Sequence, residues 1–294
     1  MNVPPFSMAR RTGILAAATA FISGCSGVQV LDKLVPSNDY SAETGLAYGP
    51  DPRQRLDVYR PTGTPGATRP PVVVFFYGGA WSHGNRADYR FVGEALASRG
   101  AIVVVADYRL SPQVRYPVFV QDSALAVRWA ADHAESLGSD AQHLVLMGHS
   151  AGAYNAAMLA LDPRWLGVVG MAPGQLMAWI GLAGPYDFLP IGDPETQVAF
   201  QWPDTPPDSQ PMAHASAKAP RTLLMVSEQD KVVDPQRNTL ALARKLQLLG
   251  VPVTLHQYPR VSHVTLIGSV ATPLRFLAPV RDDLLAFLGL EKKS

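Results

Sequence analysis

Cysteine is almost absent from this chain, and charge of neither sign dominates it. The sequence of 294 residues holds one cysteine, Cys25, which excludes disulfides within the chain and cysteine metal clusters, because each needs at least two thiols from the same chain. Lysine and arginine number 25 against 24 acidic residues, with no basic block, so we expect no nucleic-acid partner. No metal or cofactor is expected, because the sequence lacks a clustered His/Asp/Glu set and a phosphate-binding glycine loop.

A long hydrophobic run is also missing. The apolar stretch Thr12–Ile22 is too short to span a bilayer as a helix. It follows Arg10-Arg11 and precedes small residues, which is the order of zones in an export signal. Residues 22–25, Ile-Ser-Gly-Cys, resemble the lipobox of a bacterial lipoprotein signal, and this resemblance implies cleavage before Cys25 and acylation of that cysteine. A twin-arginine signal and a short buried helix are the alternatives.

These observations divide the chain. We expect residues 1–24 to be a signal peptide of the lipoprotein type and residues 25–44 to be a polar tether. The protein would then be exported and lipid-anchored at a membrane of the bacterial cell envelope. Residues 45–290 show no repeat or compositional break and predict one domain. The segment 187–218, which contains the proline-dense run Pro203–Pro211, is a candidate lid over a site.

From Gly45 onward, short β-rich runs alternate with helical patterns, which is typical of an α/β sheet with helices on its faces. Continuous apolar or β-branched runs predict strands buried on both faces at Val72–Phe76, Ile102–Ala106, Leu144–Met147, Ile180–Ala183, Thr222–Val226 and Val253–Tyr258. Gln54–Tyr59 alternates polar and apolar residues and predicts a half-exposed antiparallel edge strand. Helices are predicted at Tyr89–Ser98, Val118–Glu135, Ala151–Leu161, Gln236–Leu249 and Pro273–Leu288.

The segment Gly148-His149-Ser150-Ala151-Gly152 follows a predicted strand directly and opens an alanine-rich helix. In this strand-turn-helix setting, a G-x-S-x-G motif forms a cramped turn that lifts the serine oxygen clear of the sheet. Ser150 is therefore the predicted nucleophile. A simple tight turn without a function is the alternative.

A serine hydroxyl needs a histidine base, and that base needs a carboxylate to orient it. Of the seven histidines, His263 follows the last predicted strand, where the base of such a sheet is expected. His149 adjoins Ser150, but the geometry of the turn is expected to point its side chain away from the serine. His256 lies within a strand. The others fall in turns, on a helix or in the proline-rich segment: His83, His133, His143 and His214.

Three acidic residues follow the strand Thr222–Val226. We favour Asp230 as the acid, because Glu228 is close to the strand end and Asp234 precedes a proline, as a helix cap would. The order serine, aspartate, histidine matches that of α/β-hydrolases and neither protease order.

Acyl transfer also needs donors for a developing oxyanion. The backbone N–H of Ala151, which follows the nucleophile, is one predicted donor. The loop after Val72–Phe76 reads Tyr77-Gly78-Gly79-Ala80-Trp81, and its small residues let the backbone approach a substrate, so Gly79 and Ala80 are the other predicted donors. Trp81 either lines a substrate pocket or packs in the core, and both interpretations stay open.

Together these motifs resemble an α/β-hydrolase of the hormone-sensitive-lipase-like group, close to bacterial carboxylesterases related to feruloyl esterases and kynurenine formamidases. The resemblance covers nearly all of residues 45–290. Its matching pieces are Tyr77–Trp81, Asp107–Pro112, Tyr116-Pro117, Asp122, Trp129, Gly148–Gly152, Asp230, Val233 and His263. It implies that Asp107–Pro112 braces the oxyanion loop.

The chain departs from the family at Tyr77, where a histidine is usual, and at Ala80, where a third glycine is usual. The backbone donors survive both changes, since alanine also has an N–H. The resemblance implies a serine carboxylesterase that hydrolyses a small ester through an acyl-enzyme. The alternatives are an amidase of the formamidase or exopeptidase type and a non-catalytic, membrane-anchored binding protein.

Overall fold

The computed structural model describes residue 35 and residues 39–62 and 69–290 of the chain. Cys25 and the predicted signal segment 1–24 lie outside the described residues, as does most of the predicted tether. None of the helices in the described ranges is long and apolar enough to cross a membrane.

The described residues form one eight-stranded sheet in the order β1-β2-β4-β3-β5-β6-β7-β8. Its strands are β1 (Tyr40–Ala47), β2 (Arg55–Pro61), β3 (Val72–Phe76), β4 (Ile102–Ala106), β5 (Leu144–His149), β6 (Ala178–Leu182), β7 (Thr222–Ser227) and β8 (Val253–Tyr258). β2 is antiparallel to both its neighbours, and all other pairs are parallel. The predicted α/β architecture is therefore confirmed.

Helices cover the faces of the sheet. They are α1 (Arg90–Ala97), α2 (Val118–His133), α3 (Ala151–Leu161), α4 (Pro163–Gly167), α5 (Pro194–Phe200), α6 (Ala241–Leu248), α7 (His263–Gly268) and α8 (Val280–Leu288). Short 3-10 turns occur at Arg86–Tyr89, Ala141–His143, Pro173–Gln175, Pro207–Ser209, Pro211–His214 and Thr272–Leu274, and a π turn at Gln236–Leu240 precedes α6. Every residue of β3, β4, β5, β6 and β7 is buried, as expected of parallel strands covered on both sides.

The predicted edge position of Gln54–Tyr59 is wrong. β2 lies between β1 and β4, so β1 is the edge strand on that side. β1 begins at Tyr40, before the predicted domain boundary at residue 45. Its sequence Tyr-Ser-Ala-Glu-Thr-Gly-Leu-Ala is almost entirely exposed and joins the sheet through main-chain pairing, so no apolar pattern marks it.

Two further corrections concern the C-terminal part. Val253–Tyr258 is a strand with the predicted bounds, but it is the opposite edge of the sheet and is half-exposed rather than buried. The predicted helix Pro273–Leu288 is shorter, because α8 begins only after Pro279. Proline lacks an N–H and disfavours helical geometry in the residue before it, which explains the late start.

The parallel strands all point their carboxyl ends at one edge of the sheet. The segments that follow β3, β5, β7 and β8 at this edge contain Gly79, Ser150, Asp230 and His263. The segment 187–218 contains α5, and it is tied to the domain by bonds such as the one from the Tyr154 hydroxyl to the Ser209 carbonyl, at 2.7 Å. The topology thus collects the predicted site residues in one place.

Candidate active site

Ser150 lies in a sharp turn between β5 and α3. Its φ of +53° falls in the left-handed region, and its N–H donates to the Leu182 carbonyl at 2.9 Å. The flanking glycines are required by close approach: a Cβ on Gly148 would lie 2.2 Å from the Gly152 oxygen, and one on Gly152 would lie 2.0 Å from the Phe76 oxygen. The sequence therefore folds locally into a strained turn that presents the serine at the edge of the sheet.

The serine is hydrogen-bonded to a histidine that is bonded in turn to a carboxylate. The Nε2 atom of His263 lies 2.8 Å from the Ser150 Oγ, and its Nδ1 atom lies 2.7 Å from the Asp230 Oδ2. The side chains of His263 and Asp230 are 8% and 0% exposed. Because Asp230 accepts at Nδ1, Nε2 is left free to accept the serine proton.

Asp230 is held as a carboxylate by its own loop. Its Oδ1 accepts the N–H groups of Val232 at 2.9 Å and Val233 at 3.0 Å. Burial acts to raise the pKa of Asp230, but the hydrogen bonds from His263 and from the two N–H groups outweigh it, and the net pKa is lowered. The group is therefore charged at neutral pH.

The structure does not bring the alternative acids to the histidine. Asp234 accepts the N–H groups of Gln236 at 2.8 Å and Arg237 at 3.1 Å, as a cap of the following turn does. Glu228 is exposed. Of the three acids, only Asp230 is bonded to His263.

The loop after β3 adopts an unusual backbone. Gly79, Ala80 and Trp81 have φ values of +125°, +49° and +57°, and a Cβ on Gly79 would lie 2.4 Å from the His83 oxygen. The N–H groups of Gly79, Ala80 and Ala151 donate to no other group in the described part of the chain. These are the three predicted oxyanion donors, and they are free to bind an oxygen atom.

Hydrogen bonds of Tyr77 and of the segment after β4 hold this loop in place. The Tyr77 hydroxyl donates to the Asp107 Oδ1 at 2.7 Å and accepts from the Arg53 Nη2 at 2.8 Å. The Tyr108 hydroxyl donates to the Tyr77 carbonyl at 2.8 Å, and the two rings stack with centroids 4.9 Å apart. The Ser111 N–H donates to the Trp81 carbonyl at 2.8 Å. The expected contacts between Asp107–Pro112 and the oxyanion loop are confirmed.

A cavity of about 800 Å³ opens above Ser150. Trp81 both lines it and packs in the core: the side chain is 2% exposed, its Nε1 donates to the Asn155 Oδ1 at 3.1 Å, and its ring stacks against Phe188 with centroids 6.0 Å apart. The two interpretations of Trp81 are therefore compatible. Most of the exposed lining is apolar, and Ile191 from the segment 187–218 contributes to it.

A comparison with protein-family models identifies the chain. The model described as BD-FAE matches residues 56–246. The chain belongs to the BD-FAE family. The matched region includes Ser150 and Asp230 and ends before His263.

Curated relatives of this BD-FAE chain include esterases of bacteria and plants. Esterase LipC of Mycobacterium tuberculosis is 31% identical over 207 residues, which cover 64% of this chain and 51% of that protein. The probable isoprenylcysteine alpha-carbonyl methylesterase ICMEL1 of Arabidopsis thaliana is 29% identical over 243 residues, covering 75% of this chain and 50% of that protein. The chain thus spans about half the length of these relatives.

Solved structures share the fold over nearly the whole chain. An inhibited esterase B from Lactobacillus rhamnosis has a TM-score of 0.75 at 22% identity, covering 96% of this chain and 98% of that one. The hyperthermophilic esterase of Pyrobaculum calidifontis has a TM-score of 0.72 at 24% identity, covering 98% and 99%. The predicted α/β-hydrolase fold of this BD-FAE protein is confirmed.

His149 makes a contact that the sequence does not predict. It is buried at the end of β5 and lines the cavity, with its ring centroid 4.9 Å from that of His263. Its Nε2 lies 3.0 Å from the His263 carbonyl oxygen. The contact depends on packing between β5 and the loop after β8, and no local sequence signal could have found it.

The site has no features of a metal centre. No group of three or more His, Cys, Asp or Glu side chains in the described part of this BD-FAE chain could hold a metal ion.

Proposed function

We propose that this protein is a serine carboxylesterase. The main support is the unbroken chain of hydrogen bonds from the Ser150 Oγ through His263 to Asp230, which opens into a cavity beside unpaired backbone N–H groups. A nucleophile, a base, an orienting carboxylate and oxyanion donors are the four parts that acyl transfer requires. The names of the relatives, which include esterases and methylesterases, favour an ester as the substrate.

In the first half-reaction, the Ser150 Oγ attacks the carbonyl carbon of the ester while its proton passes to the His263 Nε2. The carbonyl oxygen takes the negative charge and binds the N–H groups of Gly79, Ala80 and Ala151. Asp230 stabilises the imidazolium through Nδ1. When the tetrahedral intermediate collapses, the bond to the alcohol oxygen breaks, and that oxygen takes the proton from Nε2.

In the second half-reaction, water hydrolyses the acyl-enzyme. The His263 Nε2 takes one proton from the water, whose oxygen attacks the acyl carbon, and the same three N–H groups bind the oxyanion. Collapse releases the carboxylic acid and returns the proton to the Ser150 Oγ. The protein ends the cycle in its initial state, so no co-reactant other than water is needed.

The test compares the purified protein with its Ser150→Ala variant on short p-nitrophenyl esters and matched amides. We expect ester hydrolysis in the parent protein, its loss in the variant, and covalent labelling by a fluorophosphonate probe only where Ser150 is present. Full activity in the variant would overturn the proposal. A clear preference for N-formylkynurenine or aminoacyl amides would replace the esterase with an amidase, and absence of labelling together with inactivity would indicate a binding protein.

We further propose that the protein is exported and anchored to a membrane through acylated Cys25. The support is the order of charged, apolar and small residues before Cys25 together with its lipobox-like sequence. In bacteria that make the full chain, we expect the protein in the detergent phase of a partition experiment and expect Cys25→Ala in the aqueous phase. A Cys25→Ala protein that still labels with a fatty-acid analogue would refute the anchor.

A further inference from the structure

His149 occupies an unusual position for an ionisable residue. It lies between Gly148 and the nucleophile, is 5% exposed, and has no carboxylate bonded to it. Burial, followed by the positive charge that His263 can acquire, lowers the pKa of His149 to about 3, with the hydrogen bond to the His263 backbone and then the charge of Asp230 opposing the shift. The imidazole is therefore neutral at neutral pH and has one N–H.

The hydrogen-bond partner fixes which nitrogen holds that proton. The Nε2 atom faces the His263 carbonyl oxygen at 3.0 Å, and a carbonyl only accepts, so Nε2 is the donor. The Nδ1 atom then has a lone pair and no proton, and it has no hydrogen-bond partner among the described residues. An unpaired buried acceptor is costly, so its presence calls for a compensating role.

We propose that His149 is a positioning residue for His263. This inference rests on the proposed function, in which the His263 Nε2 must meet the Ser150 Oγ. His263 is the first residue of the short helix α7, so its ring is aimed by the backbone at the start of that helix. The bond from His149 ties this backbone directly to the end of β5, the same strand from which Ser150 projects.

The hydrogen bond from His149 to the His263 carbonyl connects the base to β5, the strand that also positions the nucleophile. Ser150 and His149 are adjacent in the chain, so a movement of the His263 backbone away from the end of β5 lengthens the hydrogen bond between the His149 Nε2 and the His263 carbonyl. The ring of His149 also packs against that of His263 at an interplanar angle of 45°. A misplacement of about 1 Å in a catalytic group can cost about 100-fold in rate, so a hydrogen bond that holds His263 in position favours a high kcat.

The missing partner at Nδ1 fits the same role. A carboxylate at that position would favour a second proton on His149 and would place an imidazolium beside His263. His263 itself must become positively charged during the reaction, and like charges at that spacing oppose each other. The charged groups that shift the pKa of His149 are His263 and Asp230. Because Nδ1 has no partner, the His149 ring stays a neutral donor while His263 gains and loses its proton.

The experiment compares His149→Gln, whose amide can replace the Nε2 donor, with His149→Leu, which fills the space without a donor. We expect His149→Leu to lose about 10- to 100-fold in kcat at a KM within about threefold of the parent. We expect His149→Gln to recover kcat to within about threefold. Fluorophosphonate labelling rates should follow kcat.

Controls separate this inference from the proposed function. Full activity in Ser150→Ala would refute the esterase itself, whereas an inactive Ser150→Ala with a fully active His149→Leu would refute only the positioning role. If His149→Leu does not fold, His149→Asn takes its place, because its shorter amide does not reach the carbonyl. Equal kcat in His149→Asn and His149→Gln would also overturn the proposal, and a kcat lower in His149→Asn supports it.

Discussion

The hydroxyl of Tyr77 donates a hydrogen bond of 2.7 Å to the carboxylate of Asp107. Burial, together with the charge of Asp107, raises the pKa of Tyr77 well above its ordinary value, so the phenol stays protonated and remains a donor. Arg86 pairs with the same carboxylate. Tyr77 thus connects the oxyanion loop to the segment after β4.

We predict that Tyr77→Phe weakens the oxyanion loop without unfolding the protein. The ring stack remains and Arg86 still pairs with Asp107, but two hydrogen bonds are lost, the one to the Asp107 carboxylate and the one from Arg53, at a cost of about 2 kcal/mol in unfolding free energy. We expect kcat to fall by about tenfold. Tyr48→Phe is the control, because its hydroxyl donates to the backbone oxygen of the same Asp107 and does not touch the loop. Equal losses of kcat in both variants would contradict the prediction.

The backbone of the same loop provides a second prediction. In Gly79→Ala, the new Cβ meets the His83 carbonyl at a φ of +125°, so the loop must move and its N–H groups lose their alignment. We expect kcat to fall by about 100-fold or more. Ala80→Gly is the matched control: it keeps the N–H, relieves a φ of +49° and should stay within a few-fold of the parent. Activity of Gly79→Ala close to that of Ala80→Gly would exclude the loop as the oxyanion site.

Asp230→Asn tests the orienting carboxylate. An amide facing the His263 Nδ1 can donate to it, which favours the tautomer that cannot accept the serine proton at Nε2. We expect kcat to fall by about 1,000- to 10,000-fold with a folded protein. Asp234→Asn makes the same chemical change a few residues away, where the carboxylate caps a turn, and its kcat should be unchanged. Steady-state kinetics of the two variants decide the assignment.

Much of the site could be predicted because it depends on local signals and chain order. The glycines around Ser150 mark a close approach of the backbone, and the loops after β7 and β8 lie at the same sheet edge as the serine. The preceding strand is therefore sufficient to favour His263 among the histidines and to place the acid after β7, and the positions of Glu228 at the strand end and of Asp234 before a proline then favour Asp230.

The contacts that sequence could not predict join distant segments without a local pattern. Arg53, before β2, reaches the Tyr77 hydroxyl, and His149 reaches the His263 carbonyl, and both contacts depend on how loops pack over the sheet. β1 was also missed, because its exposed polar residues are held by main-chain hydrogen bonds rather than by an apolar face. Hydrophobic periodicity indicates which residues are buried, and it does not indicate contacts between distant loops or the main-chain pairing of an exposed strand.

The lowered pKa of His149 predicts a pH dependence of stability. Above a pH of about 6.5, His149 is neutral in both the folded and the unfolded chain and makes no contribution to the slope. As the pH falls below that value, the unfolded chain binds a proton that the folded protein, with a pKa of about 3 at His149, does not bind. The unfolding free energy should therefore fall by about 1.4 kcal/mol per pH unit from this group.

His149→Gln removes this titration. Urea unfolding between a pH of about 6 and about 4 should give a shallower loss of stability for His149→Gln than for the parent protein, by about that slope. Parallel curves would mean that His149 binds a proton in the folded protein in this range. That result would also remove the argument that the ring remains a neutral donor.

The charges that line the cavity predict selectivity among esters. The lining includes the carboxylates of Asp88, Asp193 and Glu195 and no lysine or arginine among the described residues. Glu195 accepts from the Ser82 hydroxyl at 2.8 Å, and Asp193 accepts the N–H of Thr196 at 2.8 Å, so both stay in place at the wall. A negatively charged acyl group should therefore be repelled.

We expect kcat/KM for mono-p-nitrophenyl glutarate to be at least about tenfold below that for p-nitrophenyl pentanoate, a neutral ester of similar length. Glu195→Gln should reduce the preference for the neutral ester, while changing kcat/KM for that ester little. Added salt should also reduce this preference, because exposed charges are screened. Equal kcat/KM for the two esters in the parent protein would show that the acyl group does not approach this wall, and the acyl end would then lie against the apolar side formed by Trp81 and Phe188.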